Sequence, residues 1–158
     1  ANTDVAPVLL LCCCGLRRGE ALGARRCDLS ADGILTVQVQ RLDGLTLSPV
    51  KTCASVRRIA LPPIVADCLR RQPLTLSGLF CEASPNRVYR AHRALLERLQ
   101  LPAVTLHGLR HSVASAAVLS GVPVKSVQGW LGHASYAITA DLYANHLPDV
   151  SSACERLF

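Results

Sequence analysis

Apolar residues recur along the chain with two spacings, that of an α-helix and the alternation of a β-strand. Together these patterns predict a mainly helical domain with a small sheet near its start. Val5 to Cys14 is an apolar run and Leu16 to Cys27 is rich in good helix formers, so both segments are predicted to be helical. Apolar and polar residues then alternate over Ile34 to Gln40, which is the period of a half-buried strand. Two more strands are predicted at Leu45 to Ser48 and at Val56 to Leu61.

The rest of the chain returns to the helical period. An apolar stripe after Pro62 predicts a helix, and Pro63 suits its first turn. Further helices are predicted at Asn86 to Leu99, Leu106 to Ser120, Val122 to Leu131, Ala134 to Tyr143 and Asp149 to Phe158. The predicted fold is therefore of the α+β class, mainly helical, with a small antiparallel sheet of about three strands.

Length and composition fit one domain with a sizeable core. The chain has 158 residues, of which 50 % are hydrophobic and 18 % are charged. The apolar start contains Asp4 and Pro7, is too short to span a bilayer and lacks the basic region of a signal peptide. We therefore expect a cytoplasmic protein without a membrane partner. The missing initial Met suggests a part excised from a longer protein.

Charge and cysteine usage narrow the partners and cofactors. The net charge of +6 and the pI of about 9.1 favour a polyanionic partner, either nucleic acid or an anionic surface. Arginine dominates the basic residues, which suits phosphate binding, although a GC-rich genome also explains such an excess.

The eight cysteines form no CxxC pair and predict no zinc site, and Cys12 to Cys14 are interpreted as small buried hydrophobic residues.

Two short motifs place an arginine one helical turn from a polar partner. His107 and Arg110 open a predicted helix, whose N-terminus favours anions. Arg17 and Glu20 have the same spacing, so Glu20 can hold Arg17 in one rotamer. Taken alone, the first pair is also compatible with a capping histidine and a solvated arginine. The second pair alone is also compatible with a weak surface ion pair.

A third motif joins a histidine to a late tyrosine. In the segment WLGHASYAITADLY, His133 follows a glycine and precedes a predicted short helix that ends at Tyr143. Tyr136 lies too close to His133 to play the same part and is interpreted as a packing residue, as is Trp130.

In order, the segments GLRRGEAL, PVKT with SVRRIALP, HGLRHS and LGHASYAITADLY resemble the successive motifs of the tyrosine recombinase (phage integrase) family. The resemblance covers nearly the whole chain and implies the fold of that family's catalytic domain. It implies an active site made of Arg17, Lys51, His107, Arg110, His133 and Tyr143, with Glu20 supporting Arg17.

The resemblance also implies a mechanism. Tyr143 would attack a DNA phosphodiester to leave a 3′-phosphotyrosine, while Arg17 and Arg110 stabilise the charge that develops on the phosphate oxygens. His107 would assist the proton transfer, His133 would donate a further hydrogen bond, and Lys51 would protonate the leaving 5′-hydroxyl. No nucleotide cofactor and no metal are implied.

The implied partner is double-stranded DNA with a specific recombination site, bound by a homotetramer that is weakly associated or monomeric without DNA. Arg57, Arg58 and Lys125 are candidate contacts to the DNA backbone. Residues 1–148 would form the catalytic domain, and residues 149–158 a tail that is either exchanged between protomers or frayed. A separate helical core-binding domain, usual in the family, is not in this sequence, so we expect weak DNA binding by this chain alone.

Three alternatives stay open at this point. A type IB topoisomerase uses similar groups to relax DNA without recombination. A non-catalytic DNA-binding remnant would keep the candidate catalytic residues but would not assemble them into an active site. A basic helical domain that binds some other partner would need neither the residues nor the active site. Formation of a covalent DNA adduct separates the first alternative from the other two.

Overall fold

Six α-helices and four short strands make up the part of the chain that the computed structural model describes, residues 3–50 and 55–132. The helices are α1 (Ala6–Cys13), α2 (Arg18–Gly23), α3 (Pro63–Arg70), α4 (Pro85–Arg98), α5 (Leu106–Leu119) and α6 (Val124–Leu131). The strands are β1 (Ile34–Val37), β2 (Val39–Arg41), β3 (Leu47–Pro49) and β4 (Arg57–Ala60). This content confirms the mainly helical α+β prediction.

The predicted helix over Leu16 to Cys27 is shorter than expected. Arg17 and Ala24 both have extended backbones, so α2 occupies only the segment between them, and a short 3-10 turn follows at Arg26–Asp28. The Glu20 carboxylate explains the start, because it accepts a hydrogen bond from the backbone N–H of Arg17 at 2.8 Å and fixes the first turn.

The sheet also differs in detail from the prediction. The expected single strand Ile34 to Gln40 is divided at Gln38, so β1 pairs antiparallel with β4 and β2 pairs antiparallel with β3. The Gln38 side chain donates a hydrogen bond to Asp28 at 2.9 Å, and the Gln38 carbonyl accepts one from Val50 at 3.2 Å. The bond from Val50 continues the register of the β2–β3 ladder, so Gln38 stands where the chain changes its partner strand from β4 to β3.

The later helices confirm the sequence prediction with ends shifted by at most two residues. Ser84 caps α4 and Thr105 caps α5, each accepting a hydrogen bond from a first-turn backbone N–H. None of the described helices is long and apolar enough to cross a membrane. The helices predicted at Ala134 to Tyr143 and Asp149 to Phe158 lie outside the described residues.

Helix α1 is central to the core, which explains its nearly uniform apolar composition. It packs against α2, α3, α4 and α5, and both Val8 and Leu11 are fully buried. Cys12 and Cys14 are buried as expected, but Cys13 is exposed because it faces away from these helices. A smaller cluster of Ala114, Val127 and Leu131 joins α5 to α6 and brings the end of α6 toward the turn between α1 and α2.

Candidate active site

The first predicted pair, Arg17 and Glu20, forms at the turn between α1 and α2. Arg17 donates from its backbone N–H to Glu20 Oε2 and from Nη1 to Glu20 Oε1, both at 2.8 Å. The Glu20 side chain is only 1 % exposed, whereas that of Arg17 is 37 % exposed. The pair is therefore not a surface ion pair: a buried carboxylate holds an arginine that still reaches solvent.

Arg110 approaches the same carboxylate from α5. Its side chain is buried, and its Nη1 lies 3.9 Å from Glu20 Oε2. It donates from Nη1 to the Gly15 carbonyl at 2.7 Å and from Nη2 to the Leu131 carbonyl at 2.6 Å. Burial, followed by the positive charge of Arg17, lowers the pKa of Arg110 to about 9, which leaves it charged at neutral pH. The solvated arginine considered from the sequence is thus not what the structure contains.

Arg57 was a candidate DNA contact, but the structure places it inside the domain. Its Nη1 and Nη2 donate to the two Glu20 oxygens at 3.0 and 2.9 Å, and its Nε donates to the Trp130 carbonyl at 2.7 Å. The side chain is 6 % exposed. The sequence held a signal for this, since strand periodicity puts Arg57 on the same face of β4 as the buried Ile59.

The three arginines also meet at the C-terminus of α6. Arg57, Arg110 and Arg17 each donate to one of three consecutive carbonyls, those of Trp130, Leu131 and Gly132 respectively. The last carbonyls of a helix lack partners inside the helix and carry negative potential, so cations stabilise them. This contact fixes the chain directly before His133.

His107 lies in the first turn of α5 and is exposed. Its ring contacts that of His111 edge to face, with centroids 4.5 Å apart. Partial desolvation, together with the positive charges of His111, Arg110 and Arg17, lowers the pKa of His107 below its usual value. At neutral pH the imidazole is therefore neutral and is able to accept a proton.

The other predicted site residues divide into two groups. Arg58 and Lys125 are exposed on β4 and α6, where a DNA backbone contact remains open to them. Lys51, His133 and Tyr143 lie outside the described residues, as does Tyr136. The structure thus brings Arg17, Glu20, Arg110 and the unexpected Arg57 together, with His107 on the same helix as Arg110.

The charge of this cluster suits an anion. Three guanidinium groups surround the single carboxylate of Glu20, and Arg110 Nε is buried without a hydrogen-bond acceptor among the described residues. Positive charge in a poorly solvated site binds anionic groups more strongly than it does in water. Within the described ranges, no group of three His, Cys, Asp or Glu side chains is arranged to hold a metal ion.

Residues 2–149 match the family described as the phage integrase family. The chain belongs to this family. Over an alignment of 156 residues that covers 93 % of this chain and 45 % of that protein, the tyrosine recombinase XerC of Rhodospirillum centenum is 35 % identical. Tyrosine recombinase XerC of a Methylobacterium strain is 34 % identical over 142 residues, covering 86 % of this chain and 43 % of that protein. The chain thus spans less than half the length of these relatives.

Solved structures of a recombinase and of an integrase share the fold. XerA recombinase superposes with a TM-score of 0.72 at 22 % identity, over 99 % of this chain and 56 % of that one. The catalytic domain of bacteriophage HP1 integrase has a TM-score of 0.62 at 19 % identity, over 98 % of this chain and 92 % of that domain. These matches confirm the prediction of a tyrosine recombinase catalytic-domain fold.

Proposed function

We propose that this chain is the catalytic domain of a site-specific DNA recombinase that cleaves and rejoins strands through a 3′-phosphotyrosine at Tyr143. The observation that carries the proposal is the cluster of Arg17, Arg110 and Arg57 around Glu20, because its excess positive charge suits a phosphodiester. The names of the relatives, tyrosine recombinases, support the same assignment.

The reaction is a pair of transesterifications. The Tyr143 oxygen attacks phosphorus as its proton passes to His107, whose lowered pKa keeps it neutral beforehand. Arg17 and Arg110 stabilise the negative charge on the non-bridging oxygens. The 5′-oxygen leaves with a proton from Lys51, and a 5′-hydroxyl later reverses the sequence of steps to rejoin a strand. The covalent link conserves the phosphodiester bond energy, so no nucleotide is consumed. Arg17 and Arg110 supply the positive charge that a metal ion would otherwise supply.

The partners follow from the same proposal. The substrate is double-stranded DNA with a specific recombination site, contacted along its backbone by Arg58 and Lys125. A homotetramer assembles on DNA, with residues 149–158 exchanged between protomers and residues 1–148 as the catalytic unit. The bacterial relatives favour action in a bacterial cytoplasm, on a chromosome or a mobile element.

The test of the chemistry is a covalent adduct on nicked suicide duplexes with a randomised central segment. The nick lets the cleaved strand diffuse away, so the phosphotyrosine accumulates and its DNA is recovered from a denaturing gel and sequenced. Tyr143→Phe is compared with Tyr136→Phe. We expect an adduct that only Tyr143→Phe abolishes, with the modified peptide identified by mass spectrometry. The proposal would be contradicted if no adduct forms, either with this chain or with a chimera. The chimera joins this chain to the part of the Rhodospirillum centenum relative that lies outside the alignment.

A topoisomerase is the second candidate, because the same charge cluster suits DNA relaxation. Relaxation of a supercoiled plasmid that lacks the recovered sequence separates the two functions. A site-specific recombinase leaves such a plasmid supercoiled, whereas a type IB topoisomerase relaxes it in the absence of any defined site.

A further inference from the structure

We propose that Arg57 is a positioning residue for strand cleavage, which locks the Glu20 carboxylate and thereby orients Arg17 and the end of α6. The inference rests on the proposed function. It assigns Arg57 to the interior of the active site and removes it from the DNA-binding surface.

Arg17 and Arg57 together fill the hydrogen-bond acceptor positions of the Glu20 carboxylate. An ionised carboxylate has about four acceptor positions on its two oxygens. Arg17 occupies one position on each oxygen at 2.8 Å, and Arg57 occupies one on each at 3.0 and 2.9 Å. All four positions are therefore filled by two arginines, and neither oxygen is free to rotate toward another partner.

Arg57 also reaches across the fold. One guanidinium bonds the carboxylate of α2, the Ser55 carbonyl at 3.0 Å and the Trp130 carbonyl of α6 at 2.7 Å. It also stands at the first position of β4, and Ser55 and Val56 separate it from the segment 51–54 that contains Lys51. Arg57 thus joins α2, Ser55 and α6 through one side chain.

The planar fork of arginine is what makes this possible. Its Nη atoms match the spacing of two carboxylate oxygens, while the Nε–H points away from that pair to a further acceptor. A lysine ammonium carries the same charge but places its three donors on one atom, so it cannot bond both Glu20 oxygens and the Trp130 carbonyl together. Arg57→Lys therefore keeps the positive charge but cannot bond both Glu20 oxygens and the Trp130 carbonyl at once.

Arg70 supplies a matched control. It carries the same side chain, lies exposed at the end of α3 and bonds Asp67 and the Ala31 carbonyl. Arg57→Lys and Arg70→Lys are thus the same chemical change at a buried and at an exposed position, and both leave the net charge at +6.

The experiment measures the rate of adduct formation at saturating DNA, using the suicide duplex recovered by the selection above. We expect Arg57→Lys to slow cleavage about a hundredfold without weakening DNA binding, since misplacement of a reacting group by about 1 Å has that effect. Arg70→Lys should cleave at the rate of the unchanged chain. Equal rates for the two variants would overturn the inference.

A second substrate separates positioning from general damage to the fold. A neutral methylphosphonate at the scissile position has less need of the arginine clamp, so we expect the defect of Arg57→Lys to shrink at least tenfold on it. An equal defect on both substrates would overturn the inference. If circular dichroism shows that Arg57→Lys is unfolded, the double variant Glu20→Gln, Arg57→Gln removes both buried charges and should show the same substrate dependence.

The two proposals fail in different ways. An unchanged chain that forms no adduct overturns the proposed function and this inference with it. An unchanged chain that forms the adduct, beside Arg57→Lys at the same rate, overturns only the inference.

Discussion

Arg57 and Glu20 are 37 residues apart in the sequence and form a two-point buried ion pair, with Nη1 on Oε1 and Nη2 on Oε2. Burial alone would raise the pKa of Glu20, but hydrogen bonds from Arg57, its charge and the bonds from Arg17 outweigh burial and lower the pKa. The ionised carboxylate is therefore a structural element, and its protonation is coupled to folding.

The first prediction concerns the pH dependence of stability. A carboxylate whose pKa is lowered by folding contributes stability above its unfolded pKa, near 4.3, and loses it as the pH falls through the lower folded pKa. Glu20→Gln removes that contribution and leaves two buried arginines underpaired, so it should cost about 3–5 kcal/mol at pH 7. Urea denaturation at pH 7 and pH 3 measures both effects.

Asp67→Asn is the control for this prediction, because Asp67 forms an exposed ion pair with Arg70. It should cost under about 1 kcal/mol at pH 7. A Glu20→Gln variant that loses as much stability between pH 7 and pH 3 as the unchanged chain would contradict the assignment.

The second prediction concerns the Gly15 turn, whose carbonyl accepts from Arg110. Gly15 has φ +89°, and a Cβ there would lie 2.8 Å from Leu131 Cδ2; Gly121 has φ +84° with open space around it. Gly121→Ala should therefore cost about 1–2 kcal/mol of backbone strain. Gly15→Ala should cost about 1–3 kcal/mol more through overpacking. Equal midpoints in urea would show that Leu131 moves aside freely.

The third prediction concerns thiol reactivity. Burial and the adjacent Cys13 raise the pKa of Cys12 to about 12 and that of Cys14 to about 11, so neither forms thiolate at pH 8. Alkylation of the folded chain with iodoacetamide, followed by peptide mass mapping, should modify the exposed Cys27 and spare Cys12 and Cys14. Labelling of Cys12 at the rate of Cys27 would show that α1 opens under native conditions.

The fourth prediction concerns the DNA surface. Arg58→Gln and Lys125→Gln should each reduce the slope of log Kd against log salt by about 1, because each removes one phosphate contact. Arg70→Gln is the control, since the Arg70 guanidinium is already bonded to Asp67 and to the Ala31 carbonyl. Fluorescence anisotropy on the duplex selected by adduct formation measures the slope. An unchanged slope for both variants would exclude Arg58 and Lys125 as phosphate contacts.

The sequence by itself determined α3, α4, α5 and α6, because their apolar period and bounding prolines are local signals. It also determined the Arg17–Glu20 pair, whose spacing is one helical turn. Only the tertiary structure decided the break at Gln38, where the chain changes its partner strand from β4 to β3. It alone decided that Arg57 faces Glu20 and the Trp130 carbonyl rather than DNA. Strand periodicity fixes which face a residue occupies, but the partner on that face comes from packing between distant segments.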